Sequence, residues 1–246
     1  MNVDGVYVLS VKTFTERIAH IRREMEQHGI AFTLILEHDV PDLDAALVRA
    51  TFAASELLPQ HQSLVLKHIE AWRSAKTRAQ RRILVFEDDA VLAQDFASRF
   101  DAAMRAAESL APGWLVNLGG ADAKVPDRYF LEQGPLIRLP IGTTEAYVTD
   151  LEAVTRRLAW LEGNKIGLPA DHLLCEVDRT LGIAQYWLRP PLVEQGSSTG
   201  LFDSALDRSR SKHSRAFNAL RNRWSKFQRR RLRAWLVRAR AMLVGR

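Results

Sequence analysis

The sequence predicts an α/β fold, a mostly parallel sheet flanked by helices and followed by a basic amphipathic helical tail. Three observations predict it. Short apolar runs that read as buried strands alternate with helix-length stretches through the first half of the chain. From Lys124 the texture changes to shorter strands. Residues 208–246 hold 14 Lys or Arg and no Asp or Glu, with apolar residues at helical spacing.

In order, VYVLSV (6–11) reads as a strand, 15–28 as a helix stopped by Gly29, and AFTLIL (31–36) as a second strand. A polar loop over 38–44 leads to helical texture over 45–58 and a further helix over 60–78. ILVF (83–86) is a strand, 95–109 a helix with Asp95 placed to cap it, and WLVNLGG (114–120) a strand ending in glycines. PLIRLP and TEAYVTD follow as short strands, then a helix over 151–161 and the segment IAQYWLRPPLVEQGSS. The small and polar run 196–200 marks the end of the globular part, which gives a body over 1–207 and a tail over 208–246.

At 246 residues and 47% apolar the chain is long enough to bury a substantial core. No run approaches the roughly 20 apolar residues of a membrane-spanning helix. The N-terminus carries Asp4 and lacks a basic stretch followed by an apolar one, so it does not read as a secretion signal, and a cytoplasmic location is expected. The single Cys175 can form no internal disulfide and reads as a small buried thiol. The net charge of +6 hides an asymmetry: outside the tail, 21 basic side chains face 29 acidic ones. The body is acidic, so the protein as a whole does not read as a basic nucleic-acid binder.

ILVFEDDAVL places Glu87, Asp88 and Asp89 side by side at the end of a buried strand, where carboxylates repel and lose solvation. In an extended backbone Glu87 and Asp89 point to one side and Asp88 to the other. The first pair offers oxygen ligands of the kind Mg²⁺ or Mn²⁺ takes, and such a cation completes its shell with substrate phosphates. The alternative is that the three acids open the following helix, whose N-terminus favours negative charge.

Five other segments accompany the triplet in order: VYVLSVKTFTERIAHIRREMEQHGIAF, LVLKHIEAW, GTTEAYVTDLEAV, LPADHLL and RPPLVEQGSS. With LVFEDDAVL they resemble the glycosyltransferase family 25 enzymes of lipopolysaccharide biosynthesis, over residues 5 to 200. The second segment departs from the family's glycine, cysteine and serine, with Ser63, Leu64 and Lys67 in their places.

The resemblance implies a GT-A-like fold and inverting transfer of galactose or a related hexose from a UDP-sugar to a lipid-linked or oligosaccharide acceptor. It implies a divalent metal, Mn²⁺ or Mg²⁺, at Glu87 and Asp89, with Asp88 assisting. Asp171 is the expected base on the acceptor hydroxyl, or else an N-cap, and His172 a weaker candidate metal ligand. Ser10 and Arg17 are candidate contacts to the donor's nucleotide or phosphates. His68 and Tyr147 are acceptor-side candidates, each with ordinary core packing as the alternative. Thr143 and Thr144 add hydroxyls of a type common in strands.

In the tail, Phe217, Leu220, Trp224, Phe227, Leu232, Trp235, Leu236 and Ala239 recur among Lys and Arg. Residues 213–244 therefore suit an anionic membrane surface, which places the enzyme at the periphery of the inner membrane. The alternatives are a helix packed on the acidic body, and a non-catalytic protein that grips nucleic acid through its tail.

Overall fold

The computed structural model describes residues 1–54, 56–120, 125–202 and 232–244. The strands are β1 Gly5–Leu9, β2 Thr33–Ile35, β3 Arg82–Glu87, β4 Ala90–Leu92, β5 Trp114–Asn117, β6 Leu136–Arg138, β7 Ala146–Asp150, β8 Ala184–Leu188 and β9 Val193–Gln195. The helices are α1 Thr15–Gln27, α2 Ala45–Thr51, α3 Pro59–Thr77, α4 Phe96–Ala107, α5 Arg128–Leu131, α6 Leu151–Gly163, α7 Ala170–Leu181, α8 Gly196–Thr199 and α9 Arg233–Val244.

Seven strands form one sheet in the order β2-β1-β3-β7-β5-β8-β6, and β4 pairs with β9 in a separate ribbon. β7 and β6 run against the other five strands of the sheet. The expected mostly parallel sheet is therefore present, with two reversed strands contributed by the second half.

Both faces of the sheet are covered, which is why its central strands are apolar on consecutive residues. Val6, Val8, Leu84 and Phe86 pack against Ile21 and Met25 of α1 and Phe96, Phe100 and Met104 of α4. Tyr7, Leu9, Ile83 and Val85 point the other way, onto Val65, Leu66, Ile69 and Trp72 of α3 and Leu173, Leu174 and Val177 of α7. Each fully buried aliphatic or aromatic side chain here stabilises the fold by roughly 1.5–3 kcal/mol. A third, smaller cluster joins Val125, Tyr129, Phe130, Ile137, Ile141 and Trp187 with Val237 of α9.

Inside the second layer Arg157 makes two bonds to Asp178, at 2.7 and 2.8 Å, and a third to Thr149 Oγ1 at 2.9 Å. Its guanidinium also lies 5.3 Å from the Trp72 ring centroid. This network fixes α6, α7 and β7 to one another.

Several elements differ from expectation for identifiable reasons. The helix expected over 45–58 ends at Thr51, because Phe52 leaves to bridge Ile166 and Leu58, which precedes Pro59, is held extended. Asp95 sits at the N-cap of α4 but makes no capping bond there; its carboxylate pairs with Arg99 at 3.2 Å. Glu87 ends β3, Asp88 and Asp89 form the turn into β4, and none of the three stands at a helix start, since α4 begins only at Phe96. The helix N-terminus alternative for the three acids is thereby overturned.

The tail is partly docked. In α9, Val237 is buried, Arg233 pairs with Asp127 at 2.8 Å and Arg238 donates to the Phe130 carbonyl. Phe217, Leu220, Trp224 and Phe227 lie outside the described residues. No helix among the described residues is long and apolar enough to cross a membrane.

Candidate active site

The C-terminal end of β3 opens onto a cavity of about 290 Å³, lined among others by Ser10, Arg17, Lys67 and all three acids of the triplet. Ligands of open α/β sheets sit at such strand ends. The chain brings the pieces together from far apart. Asp88 accepts from Ser10 Oγ at 2.7 Å and from Arg17 Nη1 at 3.0 Å. Glu87 accepts from Thr144 Oγ1 at 2.8 Å. Asp89 accepts from the Ser197 backbone N–H at 3.1 Å through Oδ2, while its backbone carbonyl accepts from Gly196 at 2.7 Å. The β4–β9 ribbon makes this last contact possible by returning the 189–198 segment onto the triplet.

Electrostatically the cluster is strained. Burial first, then repulsion from Asp89, Glu145 and Asp88, raises the Glu87 pKa from 4.5 to about 8, against the favourable bond from Thr144. Asp88 is also raised by burial, opposed by Arg17 and Ser10. Asp89 Oδ1 is buried without a hydrogen-bond partner among the described residues. Such an oxygen is costly unless something else meets it.

A pH dependence follows from Glu87. Its folded pKa lies above its unfolded value, so the stability this group contributes is complete below pH 4.5 and is lost as pH rises through about 8. The ligand-free thermal midpoint is expected to fall across that window, and Glu87→Gln should flatten the fall; a midpoint that rises with pH in wild type and variant alike would contradict this.

The remaining candidates separate. Tyr147 is 0% exposed in the second core, its hydroxyl accepting from Trp72 Nε1 at 3.0 Å and meeting His68 Nδ1 at 2.9 Å. His68 is 1% exposed, and burial drives its pKa down to about 3, so the ring is neutral. The acceptor-side reading of both residues is corrected: neither presents a surface to an acceptor, because each is enclosed between α3 and β7. Asp171 sits in the first turn of α7 and accepts from the His172 backbone N–H at 2.8 Å. The N-cap position belongs to Pro169, and Asp171 does not line the cavity around the triplet. His172 lines a different cavity of about 630 Å³, with Arg138, Cys175 and Arg179, which removes it as a ligand at the triplet.

Glu145 escaped the sequence reading. Its buried carboxylate accepts from the Gly120 backbone N–H, and a Cβ on Gly119 would collide with it, so this Gly-Gly pair allows β5 to end against the site. The glycines closing WLVNLGG are the one signal of it in the sequence.

Residues 3–122 match the family model described as glycosyltransferase family 25 (LPS biosynthesis protein). Residues 3–122 carry a family 25 glycosyltransferase domain. That span contains β1 through β5 and hence Ser10, Arg17, Lys67 and the acidic triplet. The family 25 domain makes the chain a sugar transferase, a nucleotide-sugar donor is the substrate such a domain suggests, and Thr144, Asp171 and Ser197 lie in the part beyond the match. No curated protein matches the chain. Among solved structures, a glycosyltransferase involved in the glycosylation of the major capsid of PBCV-1 is similar at 10% identity and a TM-score of 0.44, over 89% of this chain and 99% of that one.

Asp89 and Glu87 both line the cavity; Asp89 Oδ1 has no hydrogen-bond partner among the described residues, and burial, then repulsion from the neighbouring acids, raises the Glu87 pKa to about 8. Two such oxygens suit a hard divalent cation that keeps water and takes substrate phosphates. An all-protein cage is a different matter, since no group of three or more His, Cys, Asp or Glu among the described residues could hold a metal.

Proposed function

We propose that this chain transfers galactose or a related hexose, with inversion, from a UDP-sugar to a lipopolysaccharide, lipooligosaccharide or other cell-surface glycan acceptor. The observation that carries this reading is the convergence of Ser10, Arg17, Thr144 and Ser197 on three consecutive carboxylates in one cavity, with one carboxylate oxygen left unpartnered. The cavity is lined by the apolar Val11, Phe14, Val40 and Pro41 as well as by the three carboxylates. A nucleoside diphosphate likewise combines an aromatic base with a charged diphosphate.

In this proposal Glu87 and Asp89 hold Mn²⁺ or Mg²⁺, which when bound neutralises charge developing on the leaving diphosphate. Ser10 and Arg17 hold the Asp88 carboxylate in place, which fixes the turn that carries all three acids. The acceptor oxygen forms its bond to the anomeric carbon as the bond to UDP breaks, in one in-line displacement. Its proton passes to Asp171, the base implied by the family resemblance, although Asp171 does not line the cavity. Incubation with a panel of UDP-sugars and a deacylated lipooligosaccharide tests the reading. Metal-dependent UDP release coupled to a heavier glycan supports it; no release with any donor at saturating metal contradicts it.

Membrane placement is part of the same proposal, with the enzyme in the cytoplasm at the periphery of the inner membrane. Trp235, Met242 and Leu243 of α9 are 67%, 68% and 73% exposed, although Val237 on the same helix is buried. A docked helix that keeps large apolar groups in solvent, in a tail carrying 14 cations, suits an anionic bilayer surface. Replacing Trp235, Met242 and Leu243 together by Ser is expected to abolish sedimentation with vesicles containing anionic lipid while sparing transfer to a soluble acceptor. Unchanged vesicle binding would contradict the placement, and affinity for nucleic acid in its stead would favour the alternative role of the tail.

A further inference from the structure

Lys67 lines the donor cavity from α3 with only 2% of its surface exposed. Its ammonium donates to Asp39 Oδ1 at 2.7 Å and to the Glu37 carbonyl at 2.5 Å. Asp39, also buried, accepts through its other oxygen from the Lys12 backbone N–H at 2.9 Å. One carboxylate thus joins α3, the loop after β1 and the loop after β2. These segments also supply apolar lining of the cavity: Leu64 from α3, Val11 from the first loop, Val40 and Pro41 from the second.

A buried ion pair is poor value as a stabiliser, because desolvation of both charges offsets most of their attraction and an apolar pair of similar size would serve as well. Burial accordingly pulls the Lys67 pKa down while Asp39 supports its charge. What the pair does provide is a fixed position for a loop with little secondary structure of its own. Residues 36–39 lie outside any helix or strand, Val40–Asp42 form a single 3-10 turn, and His38 is held at a positive φ of 65°. Non-glycine residues in that region persist where surrounding contacts over-determine them, and they cluster at ligand sites.

We propose that the Lys67–Asp39 pair is a latch that sets the Val40–Pro41 wall against which the donor's nucleoside lies. Lys67 and Asp39 are then positioning residues that govern donor affinity without touching the reacting atoms. The proposal rests on the donor-site reading above and is separable from it by experiment.

The test uses the full chain with Lys67→Met, Lys67→Arg and Asp39→Asn. UDP is titrated in the presence of Mn²⁺ by thermal shift, and KM and kcat are measured with the UDP-sugar that supports turnover. Lys67→Met and Asp39→Asn are expected to weaken UDP binding about tenfold, near 1.4 kcal/mol, with KM raised in step and kcat within about twofold. Lys67→Arg, which keeps a cation within reach of Asp39, should retain most of the affinity. Wild-type UDP affinity in folded Lys67→Met overturns the latch, as does a fall in kcat with KM unchanged. Should wild type bind no UDP, the donor reading itself fails, and hydrogen exchange then decides the latch: amides 37–42 must exchange faster in Lys67→Met, and unchanged exchange overturns it.

Discussion

Asp89→Asn is expected to lower kcat for sugar transfer by at least about 10²–10³-fold, the scale seen when one preorganised electrostatic group is removed from a reaction centre. The fold should survive. Asn keeps a carbonyl oxygen that can still accept from the Ser197 N–H, and the Gly196 contact uses the backbone of residue 89. What is lost is the negative charge at Oδ1, the oxygen with no hydrogen-bond partner among the described residues. Normal kcat in a folded variant would remove Asp89 from the proposed metal site. A collapse of the thermal midpoint would instead assign it a structural task, holding the β4–β9 ribbon.

The largest effect on stability is expected at Asp178. Replacing it with Ala leaves the Arg157 guanidinium, itself 1% exposed, without its charge partner, and such a change costs about 3–5 kcal/mol. Gln185 Nε2, which donates to Asp178 Oδ2 at 2.8 Å, loses an acceptor as well. Chemical denaturation should show the loss as a lower midpoint at an unchanged slope. The double variant Arg157→Met with Asp178→Leu removes both charges and should recover a large part of it; a double variant no more stable than Asp178→Ala would contradict the charge-burial explanation. The pair also fixes α6 to α7, the helix that carries Asp171, the proposed base.

Features set by local pattern were legible in the sequence. β1 and β3 are legible because strands buried on both faces are apolar on consecutive residues, 6–9 and 83–86, and α1 because its run ends at Gly29, where φ is +63°. The triplet could be read as a site because three adjacent carboxylates at the end of such a strand need a compensating partner. Ser10, Arg17 and Asp88, each a donor-site candidate in the sequence, meet through direct hydrogen bonds that the sequence does not announce.

Features set by distant partners were not legible. β4 and β9 have three residues each and are defined by pairing across about a hundred positions, a separation that carries no periodic signal. The end of α2 depends on a bridge from Phe52 to Ile166. For Tyr147 and His68 the sequence leaves an acceptor-side role and core packing both open, because a Tyr or His can serve a ligand or a core equally well. Only the Trp72 indole, which meets the same hydroxyl from one turn beyond His68, decides for the core. Lys67 drew notice as a departure from the family pattern, yet its partner Asp39 lies 28 residues earlier, in a loop without pattern of its own.

The most direct test of the central claim, that the acidic triplet holds a cation and the diphosphate of a nucleotide sugar, is the thermal midpoint of wild type and Asp89→Asn with Mn²⁺ and UDP, separately and together. A ligand that binds only the folded chain stabilises it by mass action, by about 2.7 kcal/mol at a concentration of about a hundred Kd, and so raises the midpoint. The account predicts a rise that requires both components in wild type and is absent from the variant. A well-folded wild type whose midpoint does not respond to the two together would contradict it.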